Sequence, residues 1–162
     1  MPLQKAMVSS ESSEWGTPDD FFVRLDSEFH FTLDPCATKK NAKCKKFFTE
    51  KQDGLKQDWS KDVVFMNPPY KGQTAKWVGK AVAESKKGAT VVCLLSAATG
   101  RKWFHDYVFN HAAQIRWVSG FIKFIGATYG APFASVVVIF SSKRYHPKHI
   151  YEYPARLKEI KK

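Results

Sequence analysis

Four residues in the middle of the chain, Asn67-Pro68-Pro69-Tyr70, bring together groups that could act on an amino nitrogen. The Asn67 amide oxygen can accept a hydrogen bond, and the Pro68 carbonyl adds a second acceptor with no local helix to claim it. Tyr70 offers a flat ring to the face of whatever carries the amino group. An exocyclic amino nitrogen on an aromatic ring is a poor nucleophile, because its lone pair is delocalised into the ring. Two acceptors on its hydrogens favour the pyramidal geometry reached on the way to the transition state. The set suits alkylation of an amino group on a planar base.

The flanking residues predict how these groups are held. Residues 63–67, Val-Val-Phe-Met-Asn, are an apolar run ending in a polar side chain, the pattern of a buried strand. Pro68 and Pro69 forbid both helix and further pairing, so the chain leaves the sheet along a fixed, extended path. Upstream, Thr17 has the character of a helix N-cap, Pro18 of a first helical position, and Asp19 and Asp20 complement the positive helix start. A helix over residues 18–28 follows, with Phe21, Phe22, Leu25 and Phe29 at helical spacing. Residues 31–34 read as a first strand ending at Asp34 and Pro35, and Phe47 and Phe48 as a short second strand closing near Glu50.

Downstream, residues 74–87 suit a helix with Ala75, Trp77, Val78 and Val82 inward and Gly88 as its stop. Residues 89–96 read as a buried strand, and 101–110 as a helix carrying Trp103, Phe104, Tyr107 and Val108. Strands over 115–119 and 121–125 flank Gly120; a loop over 126–132 and a last strand over 134–140 follow. Strands alternating with helices predict an α/β fold, mostly parallel, with an antiparallel strand towards the C-terminus. Such sheets bind ligands beyond the carboxyl ends of their strands. Only 33 positions separate Asp34 from Asn67, room for one strand–helix–strand unit of about 30 residues, so the sheet must be cut down on that side.

The 162 residues are enough for one domain with a real core. Residues 1–13 read as a mobile polar tail, 14–142 as the domain, and 143–162 as a basic extension forming a short helix or an arm along DNA. A hydrophobic content of 44% excludes disorder throughout. No apolar run reaches the length of a membrane span, and the start lacks an apolar signal segment, so a cytoplasmic location is expected. Three cysteines without a close pair fit reduced thiols, and Cys36 and Cys44 lack the spacing of a zinc site, so no metal is expected. The net charge of +11 suits a polyanionic partner, and it is grouped: Lys39, Lys40, Lys43, Lys45 and Lys46 fall together, and the extension holds seven more Lys and Arg.

Asn67-Pro68-Pro69-Tyr70 resembles the catalytic tetrapeptide of the amino-group methyltransferases that use S-adenosylmethionine. Ahead of it stand Trp15-Gly16-Thr17-Pro18, Leu33-Asp34-Pro35-Cys36-Ala37, Asn41-Ala42-Lys43-Cys44, Asp53-Gly54-Leu55 and Asp58-Trp59. In that order the series is similar to the small phage-type DNA N-6-adenine methyltransferases, over most of the chain. The resemblance implies a Rossmann-like class I methyltransferase sheet shortened on the cofactor side. It implies S-adenosylmethionine as cofactor and double-stranded DNA as partner, with the target adenine flipped out.

For the site, the resemblance implies that Trp15, Thr17 and Pro18 close over the methionine part of the cofactor. Asp34, Pro35, Cys36 and Ala37 would form the cofactor loop, although Thr38-Lys39-Lys40 stands where a glycine-rich stretch usually follows. Glu50 would hold the ribose hydroxyls, Asp58 and Trp59 would meet the adenine ring of the cofactor, and Asn67 would face both cofactor and base. Lys39, Lys40, Lys43, Lys71, Arg101 and Lys102 are the candidates for phosphate contacts, with base reading left to loops over 36–46, 97–102 or 126–133. The same tetrapeptide also serves enzymes that methylate RNA bases or a glutamine amide. A DNA-binding relic without catalysis is a further alternative.

Overall fold

The structure, a computed structural model, describes residues 15–70 and 72–157; the expected tail over 1–13, Lys71 and the end of the basic extension lie outside them. Helix α1, Asp19–Phe29, buries Phe21, Phe22 and Leu25, as their spacing predicts. Its start differs from expectation: Pro18 is at the N-cap position and no side chain caps the helix, because the Thr17 hydroxyl is engaged elsewhere. Strands β1, Leu33–Asp34, and β2, Lys46–Phe47, are only two residues each. Two 3₁₀ turns, Glu50–Gln52 and Gly54–Lys56, lead to β3, Val63–Met66.

Helix α2, Thr74–Lys86, stops just short of Gly88, whose φ of 122° is open to glycine and resisted by side chains. Strand β4, Thr90–Ser96, is followed by a π-helix, Phe104–Phe109, in place of the regular helix expected there. Strands β5, Gln114–Ser119, β6, Ser135–Phe140, and β7, His149–Pro154, complete the chain.

The seven strands among the described residues join one sheet in the order β2-β1-β3-β4-β6-β5-β7. Every pairing is parallel except those of β6, which runs against both β4 and β5. Strands β3, β4 and β6 split their apolar side chains by alternation. Val64, Met66, Val91, Cys93 and Leu95 meet α2 and Trp59 on one face, and Phe65, Val92 and Leu94 meet α1 on the other. Burial on both faces explains why these strands read as continuous apolar runs.

Two further expected elements are different in the structure. Residues 121–125 form no strand: Ile122 and Phe124 turn into the core, and Ile125 alone pairs, through a single bridge to Gly16. Residues 149–154, expected as helix or arm, are β7 on the sheet edge beside β5. Arg24 and Arg116 lie over the Tyr153 ring, and Arg116 also makes a two-pronged ion pair with Glu28 of α1. This clasp between aromatic ring and cations gives the basic extension an edge to pack against.

The chain runs outward from β1 to β2 and returns on the other side of β1 as β3, so the order reverses between β1 and β3. Asp34 closes β1, and Asn67 directly follows β3. Open α/β sheets hold their ligands outside such a reversal.

Candidate active site

A cavity of about 550 Å³ lies at this reversal, inside the size range of small-molecule sites. Its wall is formed chiefly by Trp15 to Thr17, the loop from Asp34 to Thr38, the turns carrying Glu50, Asp53 and Gly54, and the tetrapeptide Asn67 to Tyr70, with the start of α2 behind them.

Asn67 is fixed by the first of these. Its Nδ2 donates to the Trp15 carbonyl at 2.8 Å and to Thr17 Oγ1 at 3.1 Å. A carbonyl only accepts, so the amide nitrogen must face Trp15 and Oδ1 is turned the other way. There Oδ1 accepts from the Tyr70 hydroxyl at 3.1 Å. Thr74 Oγ1, in the first turn of α2, donates to the Pro69 carbonyl at 3.2 Å and holds the turn from below. Tyr70 packs against Phe133 and Phe124, with ring centroids 5.5 and 6.4 Å away, and Trp15 stacks on Phe133 at 5.8 Å. Burial pushes the Tyr70 hydroxyl pKa up, so it stays a donor.

Asp34 is buried, with Oδ2 accepting the Lys43 N–H at 3.0 Å. Burial raises its pKa to about 6, against the opposing hydrogen bonds from the Lys43 and Cys36 backbone. Cys36 ties the two strand ends together by donating its thiol to the Asn67 carbonyl at 3.4 Å. Gly54 backs directly onto this loop: a β-carbon there would lie 2.0 Å from the Pro35 carbonyl oxygen. Asp53 precedes it at φ 50°, a left-handed conformation that non-glycine residues adopt reluctantly, and its carboxylate caps the Leu55 N–H.

Trp15, Thr17, Asp34, Pro35, Cys36, Ala37, Glu50, Asn67, Pro68, Pro69 and Tyr70 thus meet around one cavity. Pro18 is not on its wall, being turned into the start of α1. Asp58 and Trp59 also fall away from it. Trp59 is wholly buried under α2, its Nε1 donating to the Gly54 carbonyl at 3.0 Å and its backbone N–H to Glu84 at 2.8 Å. No ligand can stack on a ring so enclosed. Asp58 is exposed and caps the Ser60 N–H. The acidic side chains that do reach the cavity beside Glu50 are Asp34 and Asp53. Asp53, Gly54, Leu55 and Asn41 stand in motifs visible in the sequence, whereas Trp77 and Gln73 carry no sequence signal beyond helix spacing.

The cations divide similarly. Lys39, Lys40 and Arg101 are exposed on loops leaving β1 and β4. Lys43 lines the cavity, its side chain largely buried and paired with Asp19 at 2.6 Å. Lys102 is exposed and paired with Asp106 on the same helical segment.

Comparison with known proteins places the sequence in a family. The family profile described as DNA N-6-adenine-methyltransferase (Dam) matches residues 4–156. The DNA N-6-adenine-methyltransferase of Escherichia phage T1 is 31% identical over 106 residues, 64% of this chain but 44% of that protein, so the match spans less than half of its length. YfdM of Escherichia coli (strain K12), named as a candidate methyltransferase, is 38% identical over 64 residues, 35% of this chain and 70% of its own. Among solved structures, the Type IIL restriction-modification enzyme MmeI in complex with DNA matches 84% of this chain and 23% of its own at 15% identity. The TM-score of that match is 0.48. With a profile match over nearly its whole length, the chain belongs to the DNA N-6-adenine-methyltransferase (Dam) family.

Proposed function

We propose that the protein transfers a methyl group from S-adenosylmethionine to the N6 amino group of adenine in double-stranded DNA, with the target nucleotide turned out of the stack and into the cavity. The observation that carries this reading is the Asn67 amide. Its nitrogen is occupied by Trp15 and Thr17, so its oxygen is the group left to receive a hydrogen from substrate. The Pro68 carbonyl, to which nothing donates among the described residues, supplies the second acceptor. Together they would hold both hydrogens of an amino group while Tyr70 stacks on the base.

The sheet supports a Rossmann-like methyltransferase architecture shortened on the cofactor side, since among the described residues β2 alone lies beyond β1. The cavity suits S-adenosylmethionine in charge as well as size. Asp34 bears a carboxylate whose burial a cationic sulfonium or ammonium would offset, and Glu50 and Asp53 can accept from ribose hydroxyls. When bound, the cofactor supplies an electrophilic methyl group on a positively charged sulfur. The chain needs no general base, because the surplus proton on the amino nitrogen can leave for solvent after transfer. The Tyr70 hydroxyl now sits on the acceptor that the amino group would use. Entry of the base therefore requires Tyr70 to give up that contact and turn its ring to the base.

The test is transfer of tritiated methyl from S-adenosylmethionine to unmethylated duplex DNA, followed by digestion to nucleosides. Label in N6-methyl-2'-deoxyadenosine is the expected result. Label on RNA or on a protein glutamine, with none on DNA, would replace the acceptor. Neither transfer nor cofactor binding would leave a DNA-binding relic.

A further inference from the structure

Outside the cavity, the segment between β5 and β6 departs from the usual rule for an alternating chain. Ile122 and Phe124 are buried in the core, while Phe121 at 62%, Lys123, and Ile125 at 54% exposure face outward. Outward positions of such an alternation are ordinarily polar. Tyr129 follows at 81% exposure. A contiguous set of exposed large apolar side chains marks a surface that meets something.

The loop is firmly held. The Ala131 N–H donates to the Ile122 carbonyl and the Ile125 N–H to the Gly16 carbonyl, both at 2.8 Å. Phe124 and Phe133 anchor it against Tyr70. Gly130 backs onto Phe121 so closely that a β-carbon would lie 3.0 Å from Phe121 Cβ, which brings Tyr129 alongside the outward row. Exposed apolar side chains are thus presented on a loop that packs next to the tetrapeptide.

Charge identifies what meets them. The chain carries +11, Lys123 sits within the row, and Lys39, Lys40 and Arg101 are exposed on loops leaving the same carboxyl edge of the sheet. Cations around exposed aromatic rings suit nucleic acid, with phosphates on the cations and bases on the rings. A second copy of so basic a chain would be repelled.

We propose that the loop over residues 120–134 is the part of the protein that enters the duplex. Lys123 meets a phosphate beside the target nucleotide, Phe121 and Ile125 pack on the sugars and base edges there, and Tyr129 stacks in the gap that the extruded base leaves. This rests on the reading of the protein as a base-flipping DNA methyltransferase and adds to it a side chain outside the cavity. Extrusion leaves the neighbouring bases without a stacking partner, and an inserted ring replaces part of that contact.

The wild type is assayed first for S-adenosylmethionine binding by calorimetry and for single-turnover methyl transfer to unmethylated duplex DNA. Tyr129→Ala and Tyr129→Phe follow. Both variants are expected to bind the cofactor as the wild type does. Tyr129→Ala slows transfer to duplex by about tenfold or more, the scale of one base–aromatic stack, and Tyr129→Phe restores most of it because the ring carries the contact. Transfer at the wild-type rate by Tyr129→Ala overturns the proposal, as does a Tyr129→Phe variant no better than Tyr129→Ala. A Phe121→Ser, Ile125→Ser double variant that turns a sedimenting dimer into a monomer with transfer intact would make the loop a self-association surface, and also overturns it. A wild-type protein that binds cofactor but methylates no DNA refutes the underlying reading, a result seen before any variant is made.

Discussion

Asn67 can present its oxygen because Thr17 and Trp15 take its nitrogen. Thr17→Val keeps the shape of the side chain and removes one acceptor. It should slow methyl transfer by about 3- to 10-fold, the size of one neutral hydrogen bond, and Thr17→Ser should recover the rate. Single-turnover transfer to duplex DNA measures both. Asp34 sets a pH dependence. Its pKa is about 6 in the folded protein, above the ordinary value near 3.8. The unfolded chain therefore releases its proton first, so Asp34 makes folded stability fall as pH rises between those two values and adds no further slope above. A cationic cofactor binds the carboxylate form, so its affinity should climb with pH to about 6 and then level. Asp34→Asn should flatten that climb and weaken binding; calorimetric titration across this range decides it.

Among the elements, α2 supports the site from behind. Glu84 on this helix is buried and accepts from the Trp59 N–H, Lys80 and Lys87. Burial opposes its charge, but the hydrogen bonds from Lys80, Lys87 and Trp59 outweigh that and hold its pKa below the ordinary value. Glu84→Leu strands a buried N–H and should lower stability by about 1–3 kcal/mol in urea unfolding. Cofactor affinity should fall with it, since Trp59 in turn holds the Gly54 carbonyl. Helix α2 and strands β3, β4 and β6 were legible in the sequence, because long apolar runs and a glycine stop speak for themselves. The meeting of Asp34 with Asn67 was legible too, as two strand ends with polar side chains. Trp59 was not, because its burial comes from α2, whose contribution no local pattern around residue 59 can reveal. Nor was the path of residues 121–125, whose alternation reads as a strand although no neighbouring strand takes its hydrogen bonds, Ile125 excepted. Edge strand β7 was hidden because its basic surroundings suggested DNA, while its Tyr153 is spoken for by Arg24 and Arg116.

At the scale of the whole molecule, the charge read from composition proves unevenly available. Lys43 and Lys46 are committed to Asp19 and Asp62, whereas Lys39, Lys40 and Arg101 project from the edge where the cavity lies. That edge also carries the Gly16–Ile125 bridge and the stack of Trp15 on Phe133. One side of this seam walls the cavity, and the other belongs to the loop proposed to enter the duplex. Two ligands that each order one side of a shared seam become heterotropic partners. Whatever factor the cofactor lends to DNA affinity, DNA must lend back to the cofactor, typically about 5- to 150-fold. Dissociation constants for duplex with and without a non-reactive cofactor analogue should differ by that factor, and Phe133→Ala should bring the ratio towards one. A protein built this way would bind its two ligands as a matched pair, each holding the other in place until the methyl group has moved.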